Sequence, residues 1–127
     1  MYIGDYLRRR CVFTPEKIGI VDATSQAPER FTYRDLNERA NRLAYWLRAA
    51  GVKKGDRVAL LAYDGIHFYD VFFACGKLGA ILAPYNWRLH AREVESQIRL
   101  TGPKILFHDS EAPINAMVAD LQSCAGM

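Results

Sequence analysis

The sequence predicts an α/β fold: a small N-terminal hairpin and helix, followed by a partial parallel βαβαβα sheet. Three observations carry this expectation. From Arg57 onward, strand-like and helix-like segments alternate three times, the order that builds βαβ units around parallel strands. Val58-Ala59-Leu60-Leu61-Ala62 is continuously apolar, which suits a strand covered on both faces. Leu36, Ala40, Leu43, Leu47 and Ala50 recur at helical spacing, marking one long amphipathic helix ahead of the sheet.

Asp5 to Val12 reads as a short amphipathic helix with Tyr6, Leu7 and Cys11 on one side. Thr14-Pro15 ends it, because proline pushes the residue before it out of helical space. Ile18 to Val21 reads as a strand, Thr24 to Arg30 as a turn, and Phe31 to Tyr33 as the return strand of a hairpin. Thr32 followed by Asp35 resembles a capping box opening the long helix. Asp35 with Arg39, and Glu38 with Arg42, set opposite charges one turn apart on its outer face. Gly51 is a natural stop.

Lys53 to Asp56 is a polar turn before the first sheet strand. Asp64 is placed to cap a helix from Ile66 to Leu78, whose apolar positions include Ile66, Tyr69, Phe72, Phe73 and Gly76. Gly76 and Gly79 would allow close packing against the sheet. Ala80 to Ala83 reads as a second buried strand, closed by Pro84. Arg92 to Leu100 reads as a helix with Val94 and Ile98 inward, and Lys104 to Phe107 as a third strand. Pro113 suits a first helical turn and opens a last helix with Ile114, Met117, Val118 and Leu121. The alternation stops after its third βα unit, so the sequence reads as part of a larger sheet.

Half of the 127 residues are hydrophobic and 24% are charged, which argues for a globular fold and against disorder. Such a chain can bury about two-thirds of its unfolded surface. No apolar run reaches the roughly 18 residues of a membrane span. Arg8-Arg9-Arg10 stands where a signal peptide would need its apolar stretch. A soluble, cytoplasmic protein without a transmembrane segment is expected. Seventeen basic residues against fourteen acidic ones leave a net charge of +3. The basic residues are scattered, which argues against a nucleic-acid partner. Arg8-Arg9-Arg10 and Lys53-Lys54 read as solvated surface, with an anion site as the other reading of each.

Cys11, Cys75 and Cys124 lack the spacing of a zinc knuckle or a redox motif. Cys75 lies in an apolar segment and reads as core. His67, His90 and His108 stand alone and read as structural or surface residues, so no metal site is expected. There is no phosphate loop of the form G-x-x-x-x-G-K-[ST]; Gly76-Lys77-Leu78-Gly79 has the wrong order and follows a helix. Neither a dinucleotide fingerprint nor a nucleophile elbow occurs. Ser25, Ser96, Ser110 and Ser123 have no paired base visible in the sequence. No catalytic residue is expected within the chain.

Longer stretches carry a family resemblance. Phe31-Thr32-Tyr33-Arg34-Asp35-Leu36-Asn37-Glu38-Arg39-Ala40-Asn41-Arg42-Leu43-Ala44 is followed by Leu47-Arg48-Ala49-Ala50-Gly51-Val52-Lys53-Lys54-Gly55-Asp56-Arg57-Val58-Ala59. Then come Phe72-Phe73-Ala74-Cys75-Gly76-Lys77-Leu78-Gly79-Ala80-Ile81-Leu82-Ala83-Pro84 and Asn86-Trp87-Arg88-Leu89. In this order they resemble the opening region of AMP-forming acyl-CoA synthetases, within the adenylate-forming superfamily. Asn86-Trp87-Arg88-Leu89 looks like the Asn-x-Arg-Leu element of the fatty-acyl and aryl CoA ligase branch. His90 departs from the pattern, since relatives usually carry Thr or Ser there and an imidazole caps a helix poorly.

The resemblance implies that residues 1–127 are an N-terminal fragment of the large N-terminal domain of a synthetase. The rest of the catalytic domain and the C-terminal domain would lie outside. It implies a two-step reaction: a carboxylate attacks ATP to give an acyl-adenylate and pyrophosphate, and a thiol, usually coenzyme A, displaces AMP. Magnesium accompanies ATP. The family motifs that hold the polyphosphate do not occur in these residues, so the chain alone is expected to be inactive scaffold. Its partners would be the rest of the synthetase chain, or a second copy in a self-associated or domain-swapped dimer.

One position is implied to touch a cofactor. Arg88 matches the arginine that can lie near the nucleotide phosphate of coenzyme A, and its fork of donors suits phosphate. The other reading of Arg88 is a pairing with a nearby acid or a turn cap. Trp87 either packs in the sheet edge or a subunit interface, or lines a ligand channel. Phe68, Tyr69, Phe72 and Phe73 read as core or as a face awaiting a partner. Two further functions stand beside the ligase reading: a stand-alone, non-catalytic binding or assembly module derived from this fold, and a basic nucleotide- or RNA-binding domain.

Overall fold

In the computed structural model, which describes residues 5–125, five helices and five strands follow one another. The side chain of Cys124 lies outside the described residues, so no statement about it follows. The elements are α1 (Tyr6–Phe13), β1 (Ile18–Asp22), β2 (Glu29–Thr32), α2 (Tyr33–Ala49), β3 (Arg57–Leu61), α3 (Ile66–Leu78), β4 (Ile81–Pro84), α4 (Ala91–Thr101), β5 (Ile105–His108) and α5 (Ile114–Ala125). They form two units: one of α1, β1, β2, α2 and α3, the other of β3, most of β4, α4, β5 and α5. No helix among the described residues is long and apolar enough to cross a membrane.

In the first unit, β1 and β2 pair antiparallel, with Ile20 opposite Phe31 and Asp22 opposite Glu29. The return strand begins two residues earlier than the sequence suggests, and Tyr33 is the first residue of α2. Thr32 closes the strand and opens the helix. Its Oγ1 accepts the Asp35 N–H at 3.1 Å, and the Asp35 carboxylate accepts the Thr32 N–H at 2.8 Å. This reciprocal cap is the box read from the sequence.

Leu36, Ala40, Ala44 and Leu47 are the buried positions of α2. Ala44 takes the place expected for Leu43, which is only half-buried, and Ala50 is exposed beyond the helix end. Leu7, Leu36 and Ala40 form a core against which Ile20, Phe31, Tyr33, Ile66 and Phe73 pack. The charge pairing within α2 is not the one expected. Asp35 is engaged by the cap, and Arg39 reaches α3, donating to both Asp70 carboxylate oxygens at 2.8 and 2.6 Å. A two-pronged, half-buried pair of this kind is stronger than the one-turn surface pair it replaces.

The start of α3 also differs from the sequence reading. Asp64 makes no cap; Gly65 occupies that position without a side chain to offer. The Asp22 carboxylate, at the end of β1, accepts the Ile66 N–H at 3.0 Å. Its other oxygen takes the Thr24 N–H at 2.9 Å and the Thr24 hydroxyl at 2.6 Å. One side chain thus shapes the hairpin turn and caps a helix 44 residues later. Val71, Ala74 and Cys75 are the buried residues of α3, whereas Tyr69 and Phe72 are exposed. Burial pushes the Cys75 thiol up to about 11, so it stays protonated and inert at neutral pH. Gly79, at φ 69°, ends α3 in the left-handed conformation that favours glycine.

The second unit is built on a three-stranded sheet of order β4-β3-β5. β3 and β5 run parallel, with Val58 beside Ile105 and Leu61 beside His108. Val58, Ala59, Leu60 and Leu61 are all buried, as the unbroken apolar run requires. Val94 of α4 and Ile114, Val118 and Leu121 of α5 pack with Ala59, Leu61 and Tyr85. Burying a leucine as completely as Leu61 stabilises the fold by about 1.5–3 kcal/mol. β4 is less buried than expected: Ile81 and Pro84 are exposed, since the strand lies at the edge of the sheet. Glu93 supplies the cap that His90 was not expected to give, its carboxylate accepting the His90 N–H at 2.9 Å.

Asp22 makes acid sensitivity testable. Its hydrogen bonds from Thr24 and Ile66 hold its carboxyl below the ordinary 3.8. The stabilisation is therefore complete above that ordinary value and lost as pH falls through the depressed one. Asp22→Asn should lower stability at pH 7, and the difference from wild type should shrink as pH drops below 3.8. Urea unfolding at pH 7 and pH 3 reads both.

Candidate functional site

In a parallel sheet the carboxyl ends of the strands are where ligands bind. Three segments of the second unit leave the sheet at that end. Tyr63 follows β3, Asn86 to Leu89 follow β4, and Asp109 follows β5.

The segment after β4 is a tight turn set by its asparagine. Asn86 Oδ1 accepts the Arg88 N–H at 3.0 Å, and the Asn86 carbonyl accepts the Leu89 N–H at 3.2 Å. This is the way asparagine mimics a backbone turn. Leu89 and Trp87 pack on the buried cluster, while Arg88 is exposed. Tyr85, just before the turn, is buried; its N–H reaches the Leu60 carbonyl at 2.8 Å, and its hydroxyl bonds to that of Thr101. The turn is therefore anchored at both ends.

Trp87 joins two neighbours. Its ring meets that of Tyr63 edge-on, with centroids 4.7 Å apart and planes 64° apart. The Arg88 guanidinium lies over the indole, 4.8 Å from the ring centre, within cation–π range. Trp87 packs on the buried cluster, as one of its sequence readings has it. Among the described residues no acid pairs with Arg88. Its positive charge is held in place by an aromatic face.

Tyr63 and Asp109 complete the site, and sequence reasoning singled out neither. The Asp109 carboxylate accepts the Tyr63 N–H at 2.6 Å, tying the ends of β3 and β5 together. The Tyr63 hydroxyl donates to the Ala112 carbonyl at 3.4 Å. The one signal in the sequence was position, since each residue sits just past an apolar strand. His108 turns Nδ1 to the Asp109 carbonyl at 2.9 Å, a local contact. His67 lies 3.4 Å from Asp70 in the other unit, and His90 precedes α4. Among the described residues no group of three His, Cys, Asp or Glu side chains could hold a metal ion.

Chemically, this edge offers one fixed guanidinium and two aromatic rings. That suits a single phosphate or carboxylate beside a flat group. The site has no nucleophile paired with a base. Asp109→Ala should leave the Tyr63 N–H without its acceptor and cost about 1–3 kcal/mol in urea unfolding. Asp109→Asn keeps an acceptor oxygen and should recover most of that loss.

Comparison with known proteins agrees with this architecture. Residues 7–126 match the family described as AMP-binding enzyme. A long-chain-fatty-acid–CoA ligase, FadD13 of Mycobacterium tuberculosis, is 38% identical over 88% of this chain and 22% of its own length. A fatty acid–[acyl-carrier-protein] ligase, ScoC of Streptomyces coeruleorubidus, is 44% identical over 63% of this chain and 15% of its own. In three dimensions, the N-terminal domain of FACL13 from Mycobacterium tuberculosis superposes with a TM-score of 0.88 at 35% identity. That alignment covers 98% of this chain and 31% of the other. The chain thus spans less than a quarter of the curated relatives it matches. With nearly its whole length inside the family match, the chain belongs to the AMP-binding enzymes.

Proposed function

We propose that this chain is the N-terminal segment of an ATP-dependent acid–CoA ligase that forms an acyl-adenylate and then an acyl-CoA. Its substrate would be a fatty or other hydrophobic acid. The relatives named as fatty-acid ligases support this class of acid. The segment acts as scaffold and is inactive alone. ATP and magnesium are bound elsewhere in the enzyme, because the residues at the carboxyl edge of the sheet do not fit a triphosphate with its metal. They do fit one phosphate, and Arg88 is the residue for it, meeting the nucleotide phosphate of coenzyme A. The observation that carries this assignment is the Arg88 guanidinium, exposed, without an acid partner among the described residues and steadied over Trp87.

The experiment is ATP–pyrophosphate exchange with a panel of acids on the intact product of the gene. Exchange is expected with a hydrophobic acid and not from the 127 residues alone. Exchange by the 127 residues would sink the scaffold assignment. In the intact enzyme, Arg88→Ala should raise the KM for coenzyme A by about tenfold or more, the loss of one charge-assisted contact. Exchange should stay unchanged, because that half-reaction precedes coenzyme A. An equal KM change with dephospho-coenzyme A would remove the phosphate contact from the assignment.

The isolated chain should also self-associate. Tyr69 and Phe72 of α3 are exposed at 41% and 49%, and a second copy would cover them. Sedimentation should show a dimer at high concentration, weakened by Phe72→Ser; a monomer throughout would refute it.

A further inference from the structure

A second site lies in the first unit, apart from every residue assigned to coenzyme A above. α1, α2 and the end of α3 enclose an open cleft of about 330 Å³. Asn37, Asn41 and Arg48 bring a polar strip of α2 into it, Asp5 and Arg8 come from the start of α1, and Lys77 comes from α3.

Lys77 is the unusual member. Its side chain is only 10% exposed, rare for an ammonium group. It donates to Asp5 at 3.0 Å and to Asn37 at 2.7 Å. An ammonium carries three donors, so one remains without an acceptor among the described residues. Asn37 presents its oxygen to Lys77, which leaves its NH2 donors to the cleft. Asn41 has no partner among the described residues. Arg8 and Arg48 have no acid partner there either, and Arg48 lies over the Tyr45 ring, 5.3 Å from its centre. Asp5, the one acid in the lining, is already neutralised by Lys77 and also accepts the Arg8 N–H at 3.3 Å. The lining therefore holds three cations against one carboxylate, and nearly every polar group in it is a donor with unspent capacity. A ligand rich in acceptors and negative charge suits such a set, and a guanidinium fork favours phosphate oxygens.

We propose that this cleft binds a phosphate-bearing small molecule, with Arg8 and Arg48 gripping the phosphate and Lys77 and the two asparagines completing its hydrogen bonds.

Inorganic pyrophosphate is the probe, titrated into this chain by calorimetry at low salt. Saturable binding is expected. Arg8→Ala and Arg48→Ala should each weaken it by about tenfold or more. Arg9→Ala, an exposed neighbour outside the lining, should leave it unchanged. Arg48→Lys keeps the charge but loses the fork and should also weaken binding, so the test survives if the alanine variant fails to fold. Citrate, a carboxylate polyanion, should compete poorly. The proposal is overturned by no saturable binding, by equal weakening in the Arg9 variant, or by citrate competing as well as pyrophosphate.

Discussion

The second unit depends on one constraint, that β3 must bury every side chain from Val58 to Leu61. A strand with no polar face cannot lie at the surface of a half-solvated sheet. It takes the middle of the sheet, with β4 and β5 as its neighbours. The helices that follow the outer strands then supply Val94, Ile114, Val118 and Leu121 to Ala59 and Leu61. The carboxyl-edge site is a by-product of this arrangement. Tyr63, Arg88 and Asp109 come together because the strands they follow are held side by side.

Polar groups govern the other unit. Its helices are closed and tied by side chains from distant parts of the chain. Asp22 caps α3 from the hairpin, Arg39 of α2 grips Asp70, and Lys77 at the end of α3 reaches Asp5. Each contact satisfies a backbone or charged group that would otherwise need water. The ties also leave a donor-rich cleft where α1, α2 and α3 converge. Apolar cover alone would have produced no such surface.

Local chemistry made much of this readable in advance. The unbroken run in β3, the helical spacing of α2 and the box of Thr32 with Asp35 each lie within a few residues. Long-range pairing did not show. Asp64 looked like the cap of α3 because it is near, yet Asp22 does that work from 44 residues away. Arg39 looked matched to Asp35 one turn off, yet Asp35 was engaged at the helix start and Arg39 free to find Asp70. In α3 nearly every position is apolar, so spacing could not say that Val71 and Ala74 would be covered and Phe72 exposed. At the candidate site, Arg88 stood out by family likeness, whereas Tyr63 and Asp109 became visible only once the strand ends were aligned.

The first unit is interrupted in sequence, because β3 is inserted between α2 and α3. During synthesis, α1, the hairpin and α2 emerge first, with Asp5 and Asp22 still lacking their α3 partners. They must wait until β3 has also left the ribosome. No single cut in the chain can release either unit whole. The two units are therefore bound to a shared folding schedule, and a stop codon just after α2 would yield a piece in which Asp5 and Asp22 keep only their local partners, Arg8 and Thr24.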